Sequence, residues 1–192
     1  MGDQHMVAVY ADESCLGNGR DGDNPGGAAG LIEYHAPGST ESIRMDFWIS
    51  DPATTNNRMA LRSAIEALQI LSRNGKRLNV TFTSDSQYLV KGMREWVPSW
   101  RARGWRRKAG PIENLALWQE VVQLAENHEV SWRWVRGHNL HPQNEFADFL
   151  ATRAARELTA SGGPVPSIYE EWLAAMQAKG KMGSTRSAHS TH

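Results

Sequence analysis

Three aspartates stand where carboxylates could work together. Asp12 closes an apolar run that begins at Val7, Asp85 closes another that begins at Leu78, and Asp148 lies early in a helical stretch. Carboxylates at the ends of neighbouring strands face one another closely and repel unless a divalent cation sits between them. Hard oxygen donors suit Mg²⁺ or Mn²⁺, and no Cys/His spacing in the chain is of the kind that holds zinc. Taken alone, each aspartate reads more readily as a cap or turn residue. Their joint placement is what points to a metal-dependent centre, and the chain offers no convincing protein nucleophile that would compete with it.

The elements that must position these residues follow from periodicity. Val7 and Val9 begin a strand that ends on Asp12, Glu13 and Ser14, and the glycine-rich stretch 17–27 reads as a turn or loop. Strands over 28–35 and 42–50, joined through Pro37 and Gly38, complete an antiparallel meander. Leu61, Ala64, Ile65, Leu68 and Leu71 then recur on one stripe, so 54–71 is an amphipathic helix that packs on the sheet and ends near Asn74 and Gly75. The Thr and Asn residues at its mouth can cap the helix or present hydroxyls and amides to a ligand. A fourth strand spans 78–83, helical or irregular pieces fill 87–107, and Pro111 opens a helix with Leu115, Trp118, Val121, Val122 and Ala125 on one face. A fifth strand over 129–135, a loop with His138 and His141, and a helix over 143–158 follow. The pattern is mixed α/β (α+β), a mixed sheet covered by helices, in one domain over 6–160. Residues 1–5 read as a disordered start or cloning remnant. Residues 161–166 read as a linker, 167–178 as a short helix that folds back on the body, and the remainder to 192 as a disordered tail.

Composition bounds the class. Of 192 residues, 40% are hydrophobic, and no apolar run approaches the ~20 needed to cross a bilayer. With no membrane segment and no signal-type N-terminus, cytoplasmic residence is the expectation, and a lone cysteine, Cys15, fits a reducing compartment. A monomer is the default expectation. The 21 basic and 21 acidic residues cancel, yet 91–108 holds seven cations against Glu95 alone, a net +6 that leaves −6 on the rest. Charge is segregated rather than absent, and a basic segment with interleaved tryptophans suits a polyanion.

Four stretches, Tyr10–Asn18, Thr54–Met59, Thr83–Tyr88 and Trp134–Asp148, resemble in order and spacing the motifs of the bacterial type 1 ribonucleases H. The resemblance covers roughly 6–160. It implies the ribonuclease H-like fold, a five-stranded mixed sheet flanked by helices. It also implies endonucleolytic cleavage of the RNA strand of RNA–DNA hybrids with two Mg²⁺ ions held by four carboxylates. Asp12, Asp85 and Asp148 match three of the four, and His138 matches a loop histidine that assists proton transfer or product release. Asn18, Asn56, Asn57 and Gln87 match positions that contact the minor groove or backbone of the hybrid, and Cys15, Thr55 and Asn144 join them as substrate-binding positions. The backbone of Glu13, beside Cys15, is expected to help read the RNA strand. Segment 91–108 resembles the family's basic protrusion, with Trp96, Trp100, Trp105, Arg103, Arg106 and Arg107 as its substrate-side residues and Trp96 and Trp100 also anchoring it.

The resemblance breaks at Ala60, where the family has the glutamate that is the fourth metal ligand. Glu66 lies six residues on, about 240° round the helix from residue 60. Glu13 follows Asp12 directly and, by strand alternation, is expected to point to the opposite side. Cleavage is therefore expected to be impaired. Three explanations stand open: a glutamate removed by design from an otherwise intact enzyme, which is favoured because every other catalytic position is present; a natural variant with weakened metal binding; or a catalytically inactive hybrid-binding protein.

Overall fold

Strands β1 (Met6–Cys15), β2 (Asn24–His35) and β3 (Ser42–Thr54) form the antiparallel meander. Strands β4 (Asn79–Ser84) and β5 (Glu129–Trp134) add on in parallel beside β1, and β6 (Val165–Pro166) pairs antiparallel with β3. The resulting order, β5-β4-β1-β2-β3-β6, is a mixed sheet of six strands, one more than expected. The computed structural model describes residues 5–17, 24–137 and 141–182, so Asn18 and His138 lie outside the described residues. Among the described residues no helix is long and apolar enough to cross a membrane.

Helix α1 (Asn56–Ser72) buries the predicted stripe of Leu61, Ala64, Ile65, Leu68 and Leu71. It shares its face of the sheet with α4 (Leu115–Ala125) and a continuous helical run made of α2 (Gln87–Lys91), a π turn (Gly92–Trp96) and α3 (Val97–Ala102). The π turn brings Gly92 against the Trp118 ring so closely that a β-carbon there would enter it. Pro111 does not open α4. The helix starts four residues later, after Asn114 in the left-handed conformation (φ 56°), whose amide donates to the Tyr88 hydroxyl.

The opposite face carries α5 (Pro142–Glu157) and α6 (Tyr169–Ala178), packed through Phe146, Leu150, Ala151, Tyr169 and Trp172 against Ala29, Leu31 and Tyr10. The segment read as a linker contains β6, and Asp46 explains why it docks. This nearly buried carboxylate accepts from the Ile168 N–H at 2.9 Å, while Trp48 exchanges hydrogen bonds with Ser161. The glycine-rich start of β2 is strand rather than loop. At Gly27, α5 crosses so near that a β-carbon would meet the Ala151 carbonyl.

Candidate active site

Register brings the first two aspartates together. Ala11 of β1 pairs in parallel with Ser84 of β4, so the next residue on each strand, Asp12 and Asp85, emerges side by side at the carboxyl end of the sheet. Asp12 is 5% exposed, and its Oδ1 accepts from the Glu13 N–H at 2.7 Å. Asp85 is anchored through its carbonyl, which accepts from the Trp134 indole at 3.0 Å. The loop after β5 also closes on Asp85, where a β-carbon at Gly137 would lie 2.6 Å from Oδ2, so a side chain there would displace that carboxylate.

Glu13 corrects the sequence reading. Alternation does hold: Val7, Val9 and Ala11 belong to the core on the α1 side, which puts Glu13 on that side and Asp12 on the side of α5. The centre, however, sits at the end of the sheet, where side chains from both faces reach the same space. Ligand oxygens of Asp12, Glu13 and Asp85 all lie within 4.8 Å of one another. Ala60 is fully buried near the start of α1 on this same face, so Glu13 offers a carboxylate from β1 on the side where a longer residue 60 would have offered one. The expectation of impairment assumed that Glu13 was out of reach, and that premise does not survive.

The electrostatics are those of a crowded anionic centre. The Asp12 carboxyl is held well above the ordinary carboxylate range, first by burial, then by the charges of Glu13 and Asp85, with a smaller push from Asp148. Glu13 is raised as well, by burial first and then by Asp85 and Asp148. Its Oε2 is buried with no hydrogen-bond partner among the described residues. A buried carboxylate oxygen without a donor, beside two more carboxylates, costs several kcal/mol unless it is protonated or meets a cation. An all-oxygen donor set of this kind fits a hard divalent ion.

Asp148 stands outside that tight trio, on α5, close enough for its charge to act on both Asp12 and Glu13. Asn144, one turn earlier on the same side of α5, is 3% exposed, and its Oδ1 lacks a partner among the described residues. At the α1 mouth only Thr55 caps, accepting from the Arg58 N–H at 3.3 Å. Asn56 and Asn57 follow as the first helical residues, the second of them exposed, and Gln87 is exposed at the start of α2. Cys15 is half-buried near Gly26.

The basic segment divides by burial. Trp100, expected to meet substrate, is 9% exposed and packs edge-on to the fully buried Trp118, so its part is to hold the segment in place. Trp96 and Trp105 are half-buried against the same core, Trp105 with a positive φ of 62°. Arg103 and Arg106 are exposed. Arg107 donates to the carbonyls of Gly110 and Pro111, and Arg101 pairs with Glu126 at 2.7 Å.

Known proteins are similar to this chain in sequence and fold. The family described as RNase H matches residues 4–156. This chain belongs to the ribonuclease H family. "Ribonuclease H" of Pelobacter propionicus is 43% identical over 153 residues, 79% of this chain and 86% of that protein. "Ribonuclease H" of Cupriavidus necator is 44% identical over 154 residues, 79% of this chain and 97% of the relative. A crystal structure described as "LC9-RNase H1, a type 1 RNase H with the type 2 active-site motif" superposes with a TM-score of 0.88 at 57% identity, covering 95% of this chain and 88% of that one.

Proposed function

We propose that this protein hydrolyses the RNA strand of RNA–DNA hybrids at a metal-dependent centre formed by Asp12, Glu13, Asp85 and Asp148. The observation that carries the reading is the meeting of three carboxylates within 4.8 Å at the adjoining ends of β1 and β4, one of them with a buried, unpartnered oxygen. Two Mg²⁺ or Mn²⁺ ions held there would activate water for in-line attack and stabilise the departing 3′-oxygen. The chain's own residues hold and orient the substrate. Asn56, Asn57 and Gln87 offer amides, which both donate and accept, to the minor groove and its 2′-hydroxyls. Arg103 and Arg106 meet phosphates beyond the cleavage point. His138, by its match to the family motif, carries a proton or speeds product release.

Glu13 and Ala60 belong together in this reading. A fourth carboxylate supplied from β1 makes one on α1 unnecessary, and the small buried residue 60 is then part of a relocated ligand set rather than a lesion. The relative with an unusual motif in a type 1 chain supports the same interpretation. Incubating the protein with end-labelled RNA–DNA hybrid, DNA duplex and single-stranded RNA in Mg²⁺ tests it. Cutting confined to the RNA of the hybrid and abolished by EDTA is expected. Binding of the hybrid without cleavage would point instead to an inactive hybrid-binding protein, and preferential cutting of the DNA duplex would overturn the substrate assignment.

A further inference from the structure

A cleft of about 300 Å³ opens beside Asp85 on the side away from α5, lined by Gln87, Val90, Lys91, Arg94, Glu95 and Trp134. Its floor is aromatic and held in place. Trp134 ends β5, is 42% exposed, and has its indole N–H fixed to the Asp85 carbonyl at 3.0 Å. Lys91 and Arg94 are both exposed on the adjoining helical run, and neither makes an ion pair or hydrogen bond among the described residues. Arg101, farther along the same run, is by contrast neutralised by Glu126. Two uncommitted cations line the same cleft as an indole tied to the backbone of Asp85, with Glu95 as the one acidic residue of the lining, and this combination makes a site for a phosphate joined to a flat or weakly polar group.

We infer that this cleft holds the nucleotide of the cut strand that flanks the scissile phosphate, with its phosphate between Lys91 and Arg94 and its sugar against Trp134. The inference rests on the hybrid-cleavage reading and extends it. A strand whose scissile phosphate reaches Asp85 advances only about 3.4 Å along the helix axis per nucleotide, so a flanking residue of that same strand falls within reach of the indole. Bases in a paired duplex are already stacked on one another, which leaves the ribose as the surface open to an aromatic ring. Trp134 is therefore a positioning residue that sets which phosphate stands at the carboxylates, and Lys91 and Arg94 supply the charge that keeps the strand in register.

Binding of a fluorescein-labelled hybrid, measured by anisotropy in EDTA, is compared with the positions and rate of its cleavage in Mg²⁺ for the unchanged protein and for Trp134→Ala, Trp134→Phe and Lys91→Ala/Arg94→Ala. Trp134→Ala is expected to weaken binding about tenfold and to spread the cuts over neighbouring phosphates, with Trp134→Phe close to the parent. The double cation variant is expected to lower the slope of log Kd against log salt by about 1.8. Circular dichroism and a melting curve check that each variant is folded. Folded variants with parental affinity, salt slope and cut positions would overturn the assignment, whether or not the parent cuts. A parent that fails to cut the hybrid contradicts the cleavage reading separately, because the binding comparison needs no turnover.

Discussion

At Asp12 and Glu13 two adjacent acidic residues share one centre although strand geometry sends them to opposite faces. That they meet depends on position: β1 still pairs with β2 here, but its pairing with β4 ends at Ala11 and Ser84, and beyond that point side chains from both faces reach the open edge beside Asp85. The sequence displayed the pair plainly, and alternation held, but at the rim opposite faces do not keep two side chains apart. The nearness of Asp12 and Asp85, by contrast, was legible because each closes a strand-type run, whereas Asp148, early in α5, stands outside the tight trio. The burial of Asp12 and Glu13 has a consequence for stability. Both carboxyls bind protons more tightly in the folded chain than in the unfolded one. The contribution of these two groups to the stability of the metal-free protein is therefore fully present below the ordinary carboxylate pKa near 4 and is lost as pH rises through the raised folded values. Each excess proton contributes at most about 1.4 kcal/mol per pH unit, or about 3–6 °C in Tm for a chain of this size. Melting in EDTA is expected to show Tm decreasing from pH ~5 to pH ~8, a flatter profile for Glu13→Gln, and recovery of the parent at the higher pH with added Mg²⁺. A Tm that rises with pH in EDTA, or ignores Mg²⁺, would speak against a strained acidic centre.

Among the elements, long amphipathic segments were readable and short or glycine-rich ones were not. α1 needs only its 3.6-residue stripe to be found, whereas β6 is two residues long, one of them proline, and has no pattern of its own. Its place is decided by tertiary partners, the Asp46 carboxylate and the backbone of β3. The start of β2 was hidden for a different reason. Gly26 and Gly27 look like turn residues but are there to let Thr54 and α5 approach the strand. α6 closes over this region through an aromatic group in which Trp172 lies 5.3 Å from Phe146 and 6.2 Å from Phe149, centroid to centroid. Because Trp172 is only partly buried, Trp172→Ala is expected to cost about 2 kcal/mol, less than a fully buried tryptophan, and to lower Tm by about 4–8 °C. Hybrid cleavage below the melting range should persist, since the carboxylates of β1 and β4 are held by the sheet itself. Differential scanning calorimetry beside an activity assay checks both halves, and loss of activity in the folded variant would tie α6 to the centre more closely than its packing indicates.

For the whole molecule, zero net charge conceals a division of labour: +6 on 91–108 and −6 elsewhere. In the proposed function the acidic centre would need cations to approach a polyanion, while the basic segment would draw the polyanion in. The segment's charge was visible in the sequence, but not which cations are free to serve. Arg101 and Arg107 are occupied by Glu126 and by backbone carbonyls, which leaves Arg103, Arg106 and Lys108 on the open surface, in addition to Lys91 and Arg94 at the cleft. Replacing Arg103 and Arg106 together with alanine is expected to reduce the salt slope of hybrid binding by about 1.8. Arg107→Ala should change it much less, and a titration of affinity between low and moderate salt distinguishes them. The proposed cleavage depends on Glu13 acting in place of the glutamate expected at position 60. Cleavage of a labelled RNA–DNA hybrid in saturating Mg²⁺ by the parent, Glu13→Gln and Ala60→Glu tests that most directly. The account predicts an active parent, a loss of about 100-fold or more for Glu13→Gln, and no gain from Ala60→Glu. A parent that cuts only after Ala60→Glu, with Glu13→Gln indistinguishable from it, would contradict the account.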